Sequence, residues 1–265
     1  MSRNDTTLTL VSPIASLPVL PLRPWSPSPL RRRPLDKLQE FLLVAPVLLF
    51  SMVAHEFAHG YAALKQGDPT AYQLGRLTWN PVKHIDPFFT VILPMITFFT
   101  GGFIFGGAKP VPVTPRNYRN YRRGDIIVSM AGIVTNLILA VLCTGAIVLL
   151  GLLGRALPVA TDTLAILQRM MITGVVFNLI LAMFNLLPIP PLDGSHVMKY
   201  LLPPSWAIRY QQVGMYGVFI LMILMMTRVG APLLSAWMTP VNLLGGVMLR
   251  AISQFVLPSQ FTLGM

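Results

Sequence analysis

A pentad of consecutive residues inside the first apolar run contains three side chains typical of a catalytic metal site, two from histidine and one from glutamate. The pentad is His55, Glu56, Phe57, Ala58 and His59. On an α-helix, positions i and i+4 lie on the same face, about 6 Å apart along the axis, so the two imidazoles can bind one metal ion. A catalytic zinc ion needs three protein ligands and an open position for water. Glu56 is placed to take a proton from that water as general base. This spacing predicts zinc-dependent hydrolysis.

The alternative is that the pentad arose by chance, as short motifs do. Two observations oppose this. The chain has only 4 histidines and 9 acidic residues, and three of these fall within five positions. The pentad also lies in an apolar run, where an ionisable side chain in a membrane costs at least about 2.5–3.5 kcal/mol. Glu56 has no basic residue near it in sequence, so a metal ion and its water would give the carboxylate a partner. We therefore predict a metal site.

The third ligand must come from another part of the chain, and four residues are candidates: Asp193, His196, His84 and Asp86. Asp193 is favoured because it follows an apolar run, where a carboxylate needs a partner, and because Gly194 permits a close approach of the backbone. The same position would also suit an ordinary helix N-cap. His196 could lie behind the metal ligands or at the membrane interface, and His84 and Asp86 could be loop residues. The residues alone leave this choice open.

The composition is that of a membrane protein. Of 265 residues, 54% are hydrophobic and 11% charged, whereas soluble domains carry roughly 25% charged residues. Several apolar runs approach the roughly 20 residues that span a bilayer, which predicts an all-α polytopic membrane protein with a bundle of about 5–6 transmembrane helices. The net charge of +11 fits Lys- and Arg-rich cytoplasmic loops beside anionic lipid. Because no basic stripe alternates with aromatic residues, we do not expect nucleic-acid binding.

The apolar runs and their breaks predict one membrane domain between two terminal segments. We expect a disordered, basic, Pro-rich arm over 1–40, a domain carrying the pentad over 41–256, and a tail over 257–265. The predicted elements of the domain are a span over 41–64, a small β-hairpin at the membrane edge over 71–81, a broken or re-entrant segment over 88–108, a basic loop over 109–124, spans over 125–153, 169–187 and 212–227, and an apolar stretch over 231–256 that Pro240 kinks or splits.

Three stretches, in this order, resemble the site-2 protease family of intramembrane zinc metalloproteases, peptidase family M50. They are HEFAHG at 55–60, AGIVTN at 131–136 and NLLPIPPLDG at 185–194. The resemblance covers roughly residues 41–228. It is to the compact bacterial form, since no insert of the size of a PDZ domain is present. One departure is Ser195, which stands where the family more often has a second glycine.

The resemblance implies roles for six residues. It implies three zinc ligands for one zinc ion per chain, and these are His55, His59 and Asp193. Glu56 is the expected catalytic base. Asn185, at the asparagine of the NxxPxPxxDG motif, is expected to help hold the substrate or the transition state. Asn136 matches the small-or-Asn position of a GxxxN element and is the weaker candidate for the same task.

These roles describe an intramembrane protease. We expect it to hydrolyse peptide bonds within or near transmembrane segments of membrane-protein substrates, as in regulated intramembrane proteolysis. Its partners would be a membrane protein with a transmembrane helix and the lipid bilayer of a bacterial inner membrane, with the oligomeric state left open. The substrate helix must unwind, and the 71–81 hairpin could receive its strand by β-augmentation. The alternative is a transporter or scaffold with a buried metal site, but a transporter predicts internal repeats that the sequence lacks.

Overall fold

The computed structural model describes residues 34–100 and 106–258. Within these ranges every regular element is helical and no strand forms. The α-helices, in chain order, are α1 (Pro34–Gln66), α2 (Thr70–Gln73), α3 (Leu93–Phe99), α4 (Tyr121–Ala156), α5 (Thr161–Asn185), α6 (Asp193–Met198), α7 (Pro204–Gln212), α8 (Gly217–Met226), α9 (Gly230–Trp237) and α10 (Thr239–Ala251). Most of the predicted arm over 1–40 and most of the tail over 257–265 lie outside the described residues.

Several helical stretches are long and apolar enough to cross a membrane. Four meet this condition, namely Leu38–Gln66, Tyr121–Ala156, Pro158–Asn185 and Gly230–Ala251. A fifth exists if Pro204–Tyr216 and Phe219–Met225, which are bent by 76° relative to each other, form one broken span. The prediction of an all-α multi-pass protein is therefore confirmed. The described residues contain four or five candidate spans, in place of the predicted 5–6.

The helix boundaries differ most from the predicted ones at the N-terminal ends of α1 and α5. α1 begins at Pro34, inside the range predicted as an arm, because proline is favoured in the first turn of a helix, where no intrahelical partner exists for its missing N–H. α5 begins at Thr161 rather than near Arg169. The last apolar stretch divides into α9 and α10, with Pro240 in the first turn of α10. The prediction that Pro240 splits this stretch is confirmed.

Helices α1, α4 and α5 form the core of the bundle. α4 packs along much of α5 and also contacts α1, while α1 and α5 contact each other. Small residues allow the close approach: Ala140 of α4 is fully buried, and a Cβ at Gly174 of α5 would lie 2.8 Å from the sulfur of Cys143 in α4. In a bilayer, helix association depends on such packing and on interhelical hydrogen bonds, since lipid is as apolar as the side chains.

The predicted β-hairpin over 71–81 is wrong. Thr70–Gln73 forms the short helix α2, and Gly75 then turns the chain with a φ of +62°. Backbone N–H groups of this turn bond to carbonyl oxygens a few residues earlier, as from Arg76 to Ala71 at 2.9 Å. They are therefore not available to a neighbouring strand. The turn signals were real, but they produce a local helical turn rather than a pair of strands.

The segment predicted to be broken or re-entrant doubles back to its starting point. A π-helical turn and α3 together cover Pro87–Phe99, which rises by only about 20 Å and cannot cross a hydrocarbon layer of roughly 30 Å. On the return, the backbone N–H of Gly107 donates to the carbonyl of Phe89 at 3.0 Å, and that of Lys109 donates to His84 at 2.8 Å. This out-and-back path is the geometry expected of a re-entrant segment.

Asp68 ties the returning chain to the end of α1. The helix ends at Gly67, whose φ of +109° is in the left-handed region. The fully buried Asp68 carboxylate accepts hydrogen bonds from the backbone N–H groups of Thr70 at 3.1 Å and Thr114 at 2.6 Å, and from the amide of Asn117 at 2.8 Å. Burial raises the pKa of Asp68, but these hydrogen bonds outweigh it and hold the pKa below its ordinary value.

Candidate metal centre

Two helices bring the three predicted ligands together. His55 and His59 lie one turn apart on α1, and Asp193 is the first residue of α6. The Nε2 atoms of the two histidines are 2.9 Å apart. Oδ2 of Asp193 lies 3.2 Å from the first and 3.3 Å from the second. Among the residues that the structure describes, this is the one group of three or more such side chains that could hold a metal ion.

The other candidates for the third ligand are engaged elsewhere. His84 is fully buried, with Nε2 bonded to the carbonyl oxygen of Thr78 at 2.9 Å. Asp86 caps the π-helical turn by accepting from two backbone N–H groups. His196 bonds to Asp125 at 3.0 Å. The N-cap of α6 is the residue before Asp193, and the Asp193 carboxylate makes no capping hydrogen bond. The structure therefore brings Asp193, and none of the other three, to the histidines.

The outer nitrogen atoms of both histidines are hydrogen-bonded to oxygen atoms. Nδ1 of His59 lies 2.7 Å from the carbonyl oxygen of Val128, and Nδ1 of His55 lies 2.5 Å from Oδ1 of Asn136. A carbonyl oxygen can only accept, so each Nδ1 carries a proton, and in the neutral imidazole each Nε2 then presents a lone pair. This is the tautomer that a metal-binding histidine needs, with a second hydrogen bond that fixes the ring.

Lone pairs converge at the centre without a proton donor between them. The two imidazole Nε2 atoms are within hydrogen-bond distance, but with the protons on Nδ1 neither can donate to the other or to Oδ2 of Asp193, which is buried with no other hydrogen-bond partner among the described residues. A buried unpaired carboxylate oxygen is costly. A cation between the three atoms removes both problems. Two nitrogen ligands and one oxygen ligand also match the donor sets of catalytic zinc sites. The residues therefore fit zinc.

Gly132 of α4 lies against the metal-facing side of the two histidines. A Cβ at this position would lie 2.5 Å from Cε1 of His55 and 2.6 Å from Nε2 of both His55 and His59. Real Cβ contacts of this length do not occur, so no other residue fits without displacing an imidazole. The backbone of α4 thus passes directly beside the Nε2 atoms of the two rings, and the absence of a side chain leaves the space that a metal ion would use.

Glu56 faces the returning segment that follows the re-entrant loop. Its Oε2 accepts a hydrogen bond from the backbone N–H of Val111 at 2.7 Å. The close packing of Val111 on α1 depends on Gly60, where a Cβ would lie 3.0 Å from Cγ1 of Val111. This bond orients the carboxylate beside the two histidines and engages one of its oxygen atoms. It is a contact that the sequence offered no means of finding.

The two asparagines expected to hold substrate differ in their surroundings. Asn185, at the end of α5, donates from its amide to the carbonyl of Leu181 one turn earlier, and its role toward substrate stays a prediction. Asn136 is fully buried between His55 and a second amide, that of Asn178 in α5. The sequence analysis missed Asn178. The signal that could have found it is a polar side chain inside an apolar span, where such a residue is costly unless it is paired.

A buried charged cluster holds α6, and hence Asp193, against α4. Asp125 accepts from Nδ1 of His196 at 3.0 Å, from the ammonium of Lys199 at 2.5 Å and from the phenol of Tyr200 at 2.9 Å. Burial, and then the bond to Asp125, raise the pKa of Tyr200, so its phenol remains a donor. The third metal-ligand candidate is thus placed by an ion pair that lies within two turns of it.

Comparison with known proteins identifies the family of the chain. The sequence profile of peptidase family M50 matches residues 43–174 and 158–227. The chain belongs to peptidase family M50. Over 203 residues it is 38% identical to the candidate zinc metalloprotease YwhC of Bacillus subtilis, and the alignment covers 75% of this chain and 88% of YwhC. Over 210 residues it is 32% identical to the candidate zinc metalloprotease Rip2 of Mycolicibacterium smegmatis, covering 77% of this chain and 73% of Rip2. No solved structure matches the chain.

This M50 family member is a membrane-embedded, zinc-dependent metalloprotease. The family and its relatives identify the class of enzyme and the metal. The helices that are long and apolar enough to span a bilayer indicate a membrane protein. The predictions of the family, of hydrolase activity and of zinc are therefore confirmed.

Proposed function

We propose that this metalloprotease cuts membrane-protein substrates within or near their transmembrane segments, as in regulated intramembrane proteolysis in a bacterial inner membrane. The observation that supports this is the position of the metal centre inside an apolar span. His55 follows the start of the span at Leu38 by about 26 Å and precedes its end at Gln66 by about 17 Å at 1.5 Å per residue. Both ends therefore lie well beyond the site, which supports chemistry below the membrane surface.

Within this proposal the ligands are the converging residues His55, His59 and Asp193. When bound, zinc supplies a Lewis acid that lowers the pKa of a water molecule and polarises the scissile carbonyl group. Glu56 accepts a proton from the attacking water and delivers it to the nitrogen of the leaving amine as the C–N bond breaks. The N–H of Val111 donates to Oε2 of Glu56. We therefore assign the proton transfer to Oε1.

The substrate must reach this site as an extended chain, because the carbonyl groups of a helix are bonded and shielded. The 71–81 segment forms no strand to receive it, so β-augmentation there is not part of the proposal. We assign to Asn185 the contact with the unwound substrate or the developing oxyanion. The metal centre lies nearer the C-terminal end of α1, and the basic segment over 109–124 supports a cytoplasmic position for that end.

The proposal is tested with two reporters that share one scissile sequence. In the first, the sequence lies inside a transmembrane segment reconstituted with the full-length enzyme in lipid; in the second, it lies in a soluble loop. We expect cleavage of the first, and faster cleavage when glycine residues weaken its helix, since unwinding precedes attack. Cleavage of the soluble reporter alone would show a membrane-bound protease of soluble segments and would refute the proposal.

A further inference from the structure

Four buried side chains form a continuous path of three hydrogen bonds behind the metal centre. Nδ1 of His55 bonds to Oδ1 of Asn136 at 2.5 Å, the Asn136 amide donates to Oδ1 of Asn178 at 2.8 Å, and the Asn178 amide donates to Oγ of Ser51 at 2.9 Å. The path leaves α1 at His55, crosses α4 and α5, and returns to α1 at Ser51, one turn before it began. Ser51, Asn136 and Asn178 are each at most 1% exposed. We call these four residues the amide relay.

One backbone carbonyl determines the direction of every bond in the amide relay. The side-chain nitrogen of Asn178 also donates to the carbonyl oxygen of Gly174 at 2.8 Å, and this oxygen can only accept. The nitrogen end of Asn178 must therefore face Gly174, and its oxygen end must face Asn136. Asn136 must then offer its nitrogen to Asn178 and its oxygen to His55. The hydroxyl of Ser51 can donate or accept, so it follows this direction and does not set it.

The direction of the relay decides which nitrogen of His55 is protonated. Because Asn136 presents an oxygen, Nδ1 of His55 must carry the proton, and Nε2 is left with a lone pair toward Asp193. If the Asn136 amide rotated by half a turn, its NH₂ group would face Nδ1, and the proton would move to Nε2. Protonated Nε2 cannot bind a metal. His59 needs no such relay, since its Nδ1 bonds directly to the carbonyl of Val128.

We propose that Asn178, anchored on the Gly174 carbonyl, is a positioning residue that sets the metal-binding tautomer of His55 through Asn136. The inference rests on the proposed role of His55 as a zinc ligand, and it moves Asn136 from the substrate side of the site to the support of that ligand. Asn178 touches neither the metal nor the substrate. Partners of metal-binding histidines typically change metal affinity by 10–100-fold when they are removed.

The test compares two variants of buried amides on the same helix. Asn178→Leu keeps the approximate volume but releases Asn136. Gln168→Leu is the matched control: Gln168 is equally buried, donates to the carbonyls of Ile147 and Phe255, and accepts from Leu257. Each side chain thus makes three such bonds. Gln168 lies about 15 Å along α5 from Asn178. Both variants should lose thermal stability, because each leaves buried partners unsatisfied.

Zinc affinity distinguishes a positioning role of Asn178 from a purely structural role. Competition with a chelator on the full-length chain in detergent should show a loss of about 10–100-fold for Asn178→Leu and wild-type affinity for Gln168→Leu. Ser51→Ala should lose less than Asn178→Leu, since Gly174 still fixes the amide. Equal zinc affinity of Asn178→Leu and Gln168→Leu would overturn the proposal. A His55→Leu variant that keeps wild-type affinity would instead show that the ligand assignment is wrong, which is a different failure.

A second measurement needs no folded variant of Asn136, Asn178 or Ser51. The chain has 4 histidines, so ¹⁵N-histidine labelling of the zinc-free wild-type protein gives few signals, and that of His55 is assigned by its loss in His55→Leu. We expect His55 to be protonated on Nδ1 before any metal binds. A neutral His55 ring that carries its proton on Nε2 in the zinc-free protein would overturn the proposal, whatever the behaviour of the Asn178 variant.

Discussion

A single methyl group beside the Nε2 atoms of the two histidines should abolish zinc binding. In Gly132→Ala the added Cβ would lie 2.5 and 2.6 Å from atoms of His55 and 2.6 Å from Nε2 of His59. Carbon atoms reach ordinary contact at about 3.5–4.0 Å, so the rings must retreat by about 1 Å. Zinc–nitrogen bonds are about 2.0–2.1 Å long and tolerate deviations of about 0.2 Å. The displacement exceeds that tolerance about fivefold.

The assay measures zinc per chain and proteolysis on purified Gly132→Ala and on a matched control. Gly145→Ala makes the same chemical change on the same helix, where a Cβ meets nothing within 4 Å. Alanine is favoured over glycine in a helix by about 1 kcal/mol or less, so the control should be at least as stable as the wild type and fully active. Gly132→Ala should keep its helical spectrum but contain no zinc and cut no substrate.

The result that would refute this reasoning is a folded Gly132→Ala protein with one zinc ion per chain and wild-type activity. It would mean that the ion does not lie between the two imidazoles and the backbone of α4. Loss of zinc in both Gly132→Ala and Gly145→Ala would show instead that any alanine in α4 disturbs the bundle, so the steric argument would lose its support.

Two further predictions concern the framework around the site. Asp125→Asn leaves the buried ammonium of Lys199 unpaired, so the free energy of unfolding should fall by about 3–5 kcal/mol in a denaturant titration; an unchanged value would contradict the buried ion pair. The folded pKa of Asp68 is below its unfolded value of about 3.9, so its contribution to stability is complete above that pH and is lost as the pH falls through the folded pKa. Unfolding measured against pH should therefore show a shallower acid slope in Asp68→Asn than in the wild type, and identical slopes would contradict it.

The parts of the site that could be predicted depend on short-range geometry. The i, i+4 spacing of His55 and His59 puts two imidazoles on one helical face wherever that helix lies. Asp193 could be favoured because a carboxylate after an apolar run needs a partner. The resemblance to the protease family pointed to the same residue. The spans themselves follow from uninterrupted apolar length, which the bilayer requires of any crossing helix.

The parts that could not be predicted depend on contacts between helices far apart in sequence. Gly132 is important only because α4 passes directly beside Nε2 of His55. Nothing in the sequence of α4 itself indicates that contact. Asn178 and Ser51 stand out as polar residues in apolar spans, but their pairing joins different helices. The substrate role expected of Asn136 came from motif matching, whereas the structure surrounds it with His55 and Asn178.

The failed β-hairpin has a different cause. Its signals, polar and β-branched residues over 70–87 with turn formers at Gly75 and Asn80-Pro81, are compatible with either a strand pair or a helical turn. The choice depends on where the backbone N–H groups find partners. Here Arg76 bonds back to Ala71, and the chain then continues into the 3₁₀-helix Pro81–His84. Sequence patterns of this length cannot distinguish the two outcomes without knowledge of the neighbouring elements.

Cleavage by the Glu56→Gln variant tests the central proposal most directly. Glutamine keeps the shape of the side chain and an oxygen that can accept from Val111, but it cannot take a proton from water at neutral pH. With wild-type and variant enzyme in lipid beside a transmembrane reporter, we predict one zinc ion per chain in both and cleavage only by the wild type. A zinc-loaded Glu56→Gln enzyme that still cuts the reporter would contradict the proposal that Glu56 is the general base of an intramembrane zinc protease.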